Sequence, residues 1–329
     1  MPHTAPVPSA QSNIPRLAFG GAVFGREIDE DSSRRLLDHA MARGMTLIDT
    51  AEAYGGGNAR LARRQTLQVD DVREVSDEMH SSEKIIGRWL RARGGRSHLK
   101  ICTKFNRGGR PEDIKTSLHD SLERLQTEYV DFYLFHRSFP AVPVRESLEA
   151  LTDEVRAGRI RAIGCSNFTF AEVQEAQAVA HQCGLARIEA VQPAFNLANP
   201  SGRLDLLPWC AKEGIAVLTY SPLAAGFLSG KYSSAGVIPK GTRFDVSPGH
   251  TDVYFNARSF RILEQLRALS AELGQPMTHL AMAWVIQQPA IASVIVGART
   301  QEQLDNALAA RDQPLPTEII ARMNAWLDS

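Results

Sequence analysis

The sequence predicts one (β/α)8 barrel of the TIM type, with a long loop after the seventh strand and an insertion after the second. Three observations carry that reading. Eight short apolar runs recur along the chain, at residues 17–20, 46–49, 99–104, 130–136, 160–165, 188–192, 215–220 and 291–297. Most are near-continuous and not alternating, as strands covered on both faces are. Helical patterns lie between them, which implies right-handed β-α-β crossovers and a parallel sheet. The count of eight favours closure, and no Gly-x-Gly-x-x-Gly is present to support an open dinucleotide-binding sheet.

The elements follow in order. Residues 1–13 are rich in Pro, Ser and Ala and lack a basic start followed by an apolar core, so they read as a loose terminus and not a signal peptide. Residues 14–329 read as one domain. After the second run, residues 55–78 form a polar, Arg- and Asp-rich insertion, either a solvated surface segment or a substrate-shaping one. Pro111 suits a first helical position, with Glu112 and Asp113 at the positive end of the helix dipole. Ile114, Leu118, Leu122 and Leu125 then share one helix face. Leu148, Leu151 and Val155 repeat the pattern, and Gly158 is placed to stop that helix. Leu207, Cys210 and Ala211 do so again before Gly214. Residues 222–254 form the long connection after the seventh strand. The tail carries an amphipathic stretch around Ile319, Met323 and Trp326.

Composition excludes several function classes. Lys plus Arg number 37 and Asp plus Glu number 37, so no global field draws nucleic acid or an anionic membrane. Any anionic ligand must be held by a few placed cations. The four cysteines, Cys102, Cys165, Cys183 and Cys210, are scattered in a way that suits neither a disulfide framework nor a zinc site, which suggests a reducing, cytoplasmic compartment. No apolar run approaches the length of a membrane span. No metal motif, nucleophile elbow or Walker loop is present.

In such barrels the site lies at the carboxyl ends of the strands. Here those ends carry Asp49 with Tyr54 just beyond, Lys104, His136, Ser166 with Asn167, Gln192, Tyr220 with Ser221, and Gly297 with Ala298 and Arg299. Each alone has an ordinary structural reading. Together they would crowd polar groups into one bowl, where unpaired ones are costly. Four of them make a chemical set. A phenol titrates near 10, so Tyr54 needs tuning to act as an acid or base. An ammonium at Lys104 favours proton loss, a carboxylate at Asp49 anchors that ammonium, and His136 can orient a carbonyl. The set suits reversible proton transfer to a carbonyl oxygen, which needs a hydride partner to complete a reaction.

These residues resemble the aldo-keto reductase family over nearly the whole chain. The resemblance rests on Leu47-Ile48-Asp49-Thr50 with Tyr54, Thr103-Lys104-Phe105, Leu134-Phe135-His136-Arg137 and Gly164-Cys165-Ser166-Asn167-Phe168. It extends to Tyr220-Ser221-Pro222-Leu223 with Gly226, Leu228 and Lys231, and to Gly297-Ala298-Arg299-Thr300 with Gln303 and Asn306. It implies that Tyr54 is the general acid of carbonyl reduction, with Lys104 and Asp49 lowering its pKa and His136 orienting the substrate. Ser166, Asn167 and Gln192 are then expected on the nicotinamide carboxamide, Tyr220 on the ring, and Gly21 and Ala22 beside it.

NADPH is the expected cofactor. Arg299 stands where a guanidinium can grip a 2′-phosphate, and Lys231 and Arg243 lie in the loop that closes over the cofactor. Val23, Phe24, Phe105, Phe139 and parts of residues 55–78 are expected as pocket walls for a small-molecule carbonyl or alcohol. The family also contains potassium-channel β subunits, so a non-catalytic, nicotinamide-sensing subunit is the alternative.

Overall fold

The structure, a computed structural model, describes residues 13–68, 72–233, 237–246, 249 and 251–328. The expectation of a loose terminus at residues 1–13 thus lies outside the described residues, save for Asn13. Eight parallel strands close in chain order: β1 (Leu17–Gly20), β2 (Leu47–Asp49), β3 (Lys100–Phe105), β4 (Val130–Phe135), β5 (Ile160–Ser166), β6 (Ile188–Gln192), β7 (Ala216–Thr219) and β8 (Ser293–Val296). Closure is made by β8 against β1, with Leu17, Ala18 and Phe19 opposite Val294, Ile295 and Val296.

The strands read as unbroken apolar runs because two cores need them. Ala18, Leu47, Cys102, Phe132, Leu134, Ala162, Ala190, Leu218 and Ile295 fill the barrel interior. Phe19, Ile48, Ile101, Tyr133, Phe135 and Ile163 pack outward against the helices. Alternation within each strand assigns the faces. Gly164 marks one tight place. A Cβ there would lie 2.2 Å from the carbonyl oxygen of Ala190. The β5–β6 register also shifts between Ile163 and Gly164. That shift sets the position of the strand end at Ser166.

Helix boundaries follow local chemistry. The helix Pro111–Leu125 starts on its proline, and Ile114, Leu118 and Leu125 are buried along one face. The helix Leu206–Glu213 stops at Gly214, whose φ of 64° lies in the left-handed region that glycine enters without a Cβ penalty. The tail forms the helix Thr317–Ala325, where Met323 is buried and Asn324 accepts a hydrogen bond from Trp284 Nε1 at 2.8 Å.

Residues 55–78 are not a structureless loop. Their first part is the helix Gly56–Leu67, and the helix that completes the second β-α unit is Ser81–Arg93. The segment leaves and returns through a pinch. A Cβ on Gly56 would meet Ser76 O at 1.9 Å and Gly25 O at 2.2 Å, and one on Gly57 would meet Asp77 O at 2.3 Å. The consecutive glycines are what allow these backbones to touch. A buried ion pair, Arg63 with Glu74 at 2.6 Å, ties the helix to the returning segment. Val75 N–H donates to Arg26 O at 3.1 Å, which joins the insertion to the first β-α loop.

Among the described residues no helix is long and apolar enough to cross a membrane. Nor do the described residues contain three His, Cys, Asp or Glu grouped to hold a metal ion.

Candidate active site

The strand ends converge at one end of the barrel. Asp49 closes β2 and Lys104 is the penultimate residue of β3, and strand alternation turns both side chains inward. Lys104 is fully buried. Its Nζ donates to Asp49 Oδ1 at 2.8 Å, to Asp49 Oδ2 at 2.9 Å and to Thr50 O at 2.7 Å. The carboxylate holds the ammonium charged, and the Lys104 pKa is raised despite burial. Asp49 also accepts from Gln192 Nε2 at 2.8 Å.

Tyr54 lies over this pair. The ammonium is 5.0 Å from its ring centroid. The His136 ring meets the Tyr54 ring edge-on, with centroids 5.4 Å apart. The net displacement of the Tyr54 pKa is upward, which corrects the expectation of a lowered value. Burial is the largest influence and raises it; the Lys104 charge lowers it, and the Asp49 charge raises it again. The pair therefore works as an offset against burial, and Tyr54 is a protonated phenol at neutral pH, the form an acid requires.

His136 is pulled down to about 3, by burial first and then by the charges of Lys104 and Arg137. It is a neutral imidazole across the physiological range, and its Nδ1 is buried without a hydrogen-bond partner. Its backbone N–H donates to Phe105 O at 3.0 Å, which fixes the strand end. A neutral imidazole beside a protonated phenol can orient a carbonyl oxygen.

Beyond this set lies a polar shelf. Asn167 has φ 58°, a left-handed conformation that Asn tolerates. Its Nδ2 donates to His136 O at 2.9 Å and to Ser166 Oγ at 3.2 Å, and its Oδ1 accepts from Tyr220 Oη at 2.7 Å. Ser166 Oγ donates to Gln192 O at 2.9 Å. Ser166, Asn167, Gln192 and Tyr220 are thus one network. The loop after β7 turns through left-handed backbone at Ser221, Ala224, Ala225 and Gly226. Each such non-glycine residue is strained by about 1 kcal/mol or more. Asn196 Nδ2 holds the turn by donating to Ser221 O at 2.9 Å. Pro222 is buried and Leu223 half-buried. Leu228 is buried in the outer core, so it offers the loop only its backbone.

The cations meet at the rim. Arg243 Nη1 lies 3.1 Å from Glu27 Oε1, and Arg299 Nη1 lies 3.6 Å from Glu27 Oε2. Arg26 pairs with the same Oε1 at 2.5 Å. Lys231 is near enough to Arg299 for the two charges to oppose each other. Arg299 N–H donates to Gln303 Oε1 at 2.9 Å, and Gln303 and Asn306 share an exposed face of the helix Gln301–Asp312. Gly297 is exposed beside them and Ala298 is buried. Near β1, Gly21 is buried and Ala22 and Val23 are partly covered.

Two expected pocket walls are corrected. Phe24 and Phe105 are fully buried in the layer between strands and helices. Phe105 follows inward-pointing Lys104 and so points outward, against Tyr133, Phe135 and Phe139. Phe139 stacks on it with centroids 5.9 Å apart and stays partly covered at the rim. The sequence reading missed Arg26, Glu27 and Asn196. An adjacent Arg-Glu pair in the first β-α loop was the available signal for two of them.

The model of the Aldo/keto reductase family matches residues 16–328. The protein "tas" of Escherichia coli K12 is 30% identical, covering 97% of this chain and 96% of its own length. The uncharacterized oxidoreductase YrpG of Bacillus subtilis is 31% identical, over 94% and 91%. A probable voltage-gated potassium channel β subunit of Oryza sativa is 29% identical, over 96% and 94%. The structure of the glycerol dehydrogenase AKR11B4 from Gluconobacter oxydans superposes with a TM-score of 0.75 at 25% identity, covering 95% of this chain and 91% of that one. With its eight strands closed in order and its strand ends so furnished, the chain belongs to the aldo/keto reductase family.

Proposed function

We propose that the protein is an NADPH-dependent carbonyl reductase acting on an aldehyde or ketone, with Tyr54 as proton donor. The observation that carries this is the buried Lys104–Asp49 pair beneath a protonated Tyr54, next to a neutral His136 with an unpartnered Nδ1. The residues around it fit a nicotinamide dinucleotide. The polar shelf of Ser166, Asn167 and Gln192 suits a carboxamide. The left-handed turn at 221–226 suits close backbone approach, and the surplus of cations at the rim suits a phosphate. Bound there, the nicotinamide supplies a hydride to the carbonyl carbon.

The chain's own residues do the rest. His136 donates a hydrogen bond to the carbonyl oxygen and aligns it. Tyr54 gives its proton to that oxygen as negative charge develops. Lys104, fixed by Asp49 and Thr50, stabilises the phenolate left behind. Since the Tyr54 pKa is raised from 10.0, the donor form persists through neutral pH. Reduction is expected to fall off only above the ordinary tyrosine range.

Tyr54→Phe tests this. NADPH binding, followed by quenching of protein fluorescence, is expected to persist while reduction drops by about 10²–10⁴-fold. Retained turnover would remove Tyr54 from the proposal.

A second reading is a nicotinamide-sensing regulatory subunit, favoured by the 29% identity to plant channel β subunits. NADPH oxidation with a broad panel of aldehydes and ketones separates the two. Binding without turnover on every substrate supports the second.

A further inference from the structure

The node at Glu27 has more positive charge than its carboxylate neutralises. Arg26, Arg243 and Arg299 all pair with it, at 2.5, 3.1 and 3.6 Å, and Lys231 adds a fourth cation beside Arg299. The three elements that meet here come from far apart in sequence: the first β-α loop, the long loop after β7 and the loop after β8. Glu27 is shielded, with 22% of its side chain exposed, and the Arg243 guanidinium is largely covered too, at 29%. An internal carboxylate thus occupies guanidiniums that, in the reading above, receive the 2′-phosphate of the coenzyme.

We infer that Glu27 is the residue that sets coenzyme selectivity, acting as an internal competitor for the 2′-phosphate. The inference rests on the assignment of Arg243 and Arg299 to that phosphate. A coenzyme with a 2′-phosphate must displace Glu27 from the two guanidiniums and approach its negative charge. A coenzyme with a 2′-hydroxyl leaves the pairs intact. Glu27 therefore weakens NADPH relative to NADH and keeps the enzyme less selective than its cations alone would make it. Sequence position offers a contrast: Glu30, three residues on, has its own partners in Arg34 and Arg88 and lies outside this node.

The test measures dissociation constants by calorimetry for NADPH, NADH, 2′,5′-ADP and 5′-ADP, on the full-length protein. The two nucleotide fragments probe the phosphate site without the nicotinamide end. Glu27→Gln and Glu27→Ser both remove the charge, so the test survives failure of one to fold. Each is expected to tighten NADPH and 2′,5′-ADP by about tenfold, the scale of one ion pair at a partly shielded site. NADH and 5′-ADP should change by less than about twofold. Glu27→Asp, which keeps the charge, should retain the wild-type preference. If the neutral variants weaken all four ligands alike, Glu27 only braces the loops and the inference fails. If none of the four changes, it also fails. Arg299→Ala separates this from the underlying reading. NADPH weakened far more than NADH leaves the phosphate assignment standing, whatever Glu27 does; equal weakening overturns that assignment and the Glu27 inference with it.

Discussion

Two charged clusters stand on the same barrel and are built by opposite rules. At the floor of the site, Lys104 is 0% exposed and its three hydrogen bonds go to Asp49 and Thr50. Its charge is matched by one carboxylate. At the rim, three guanidiniums share Glu27, and Arg299 leaves 47% of its side chain in solvent. The floor is complete in itself. The rim carries surplus positive charge around Glu27. A catalytic group needs a fixed field, whereas a coenzyme site must open and close around an anion, and the two demands call for different burial.

The sharpest way to break this comparison is to remove a cation from each cluster. Lys104→Met leaves Asp49 buried without its counter-ion. It is expected to destabilise the fold by about 3–5 kcal/mol in chemical denaturation and to abolish reduction. The sign with pH follows from the raised Lys104 pKa: the stabilisation is present below the unfolded lysine value and is lost only as pH rises through the folded one. Arg243→Met, at the rim, should cost about 1 kcal/mol or less. Equal losses at the two sites would mean that they do not differ in kind.

The next effect is pH-linked and lies at the floor. An unfolded His takes a proton near 6.5, while folded His136 refuses it down to about 3. Between those values the unfolded state binds more protons, so this residue removes about 1.4 kcal/mol of stability per pH unit as pH falls. His136→Phe should flatten the fall relative to wild type in denaturation series at pH 6.5, 5.5 and 4.5. Parallel curves would show that His136 is not held neutral.

The two clusters also differed in how far the sequence disclosed them. The floor was legible because each member ends a recognisable strand. Val130–Phe135 is apolar but for Asp131 and hands over to His136; Leu47–Asp49 hands over to its carboxylate. The sign of the Tyr54 shift was not legible, since it depends on how deeply the ring is covered, and burial outweighs the neighbouring ammonium. Phe105 could have been placed by alternation, because Lys104 before it must point inward. The rim was half legible. Arg299 carries a motif position and Arg243 lies in the expected long loop, but Glu27 reads as a surface residue until the fold brings residues 216 and 272 positions away against it. The insertion shows the same limit. Its polar composition suggested a loop, yet a helix forms, because the glycine pinch and the Arg63–Glu74 pair supply contacts that local composition does not reveal.

The smallest expected effect concerns that insertion. Arg73, on its returning segment, lies 3.8 Å from Asp245 in the long loop after β7, and its Nη1 donates to Asp245 O at 3.3 Å. Both side chains are about one-third exposed, at 37% and 32%, so solvent screens the pair. Exposed pairs of this kind are worth about 0.2–1 kcal/mol. Arg73→Ala should therefore move global stability by no more than that amount. The bridge nevertheless joins the insertion to the loop that carries Arg243. Its loss should appear chiefly in NADPH release, with a stopped-flow dissociation rate raised by up to about fivefold, the kinetic equivalent of 1 kcal/mol. An unchanged rate with a stability loss well above 1 kcal/mol would reverse the assignment. The insertion would then be a structural brace of the barrel, and the rim would be no looser than the floor.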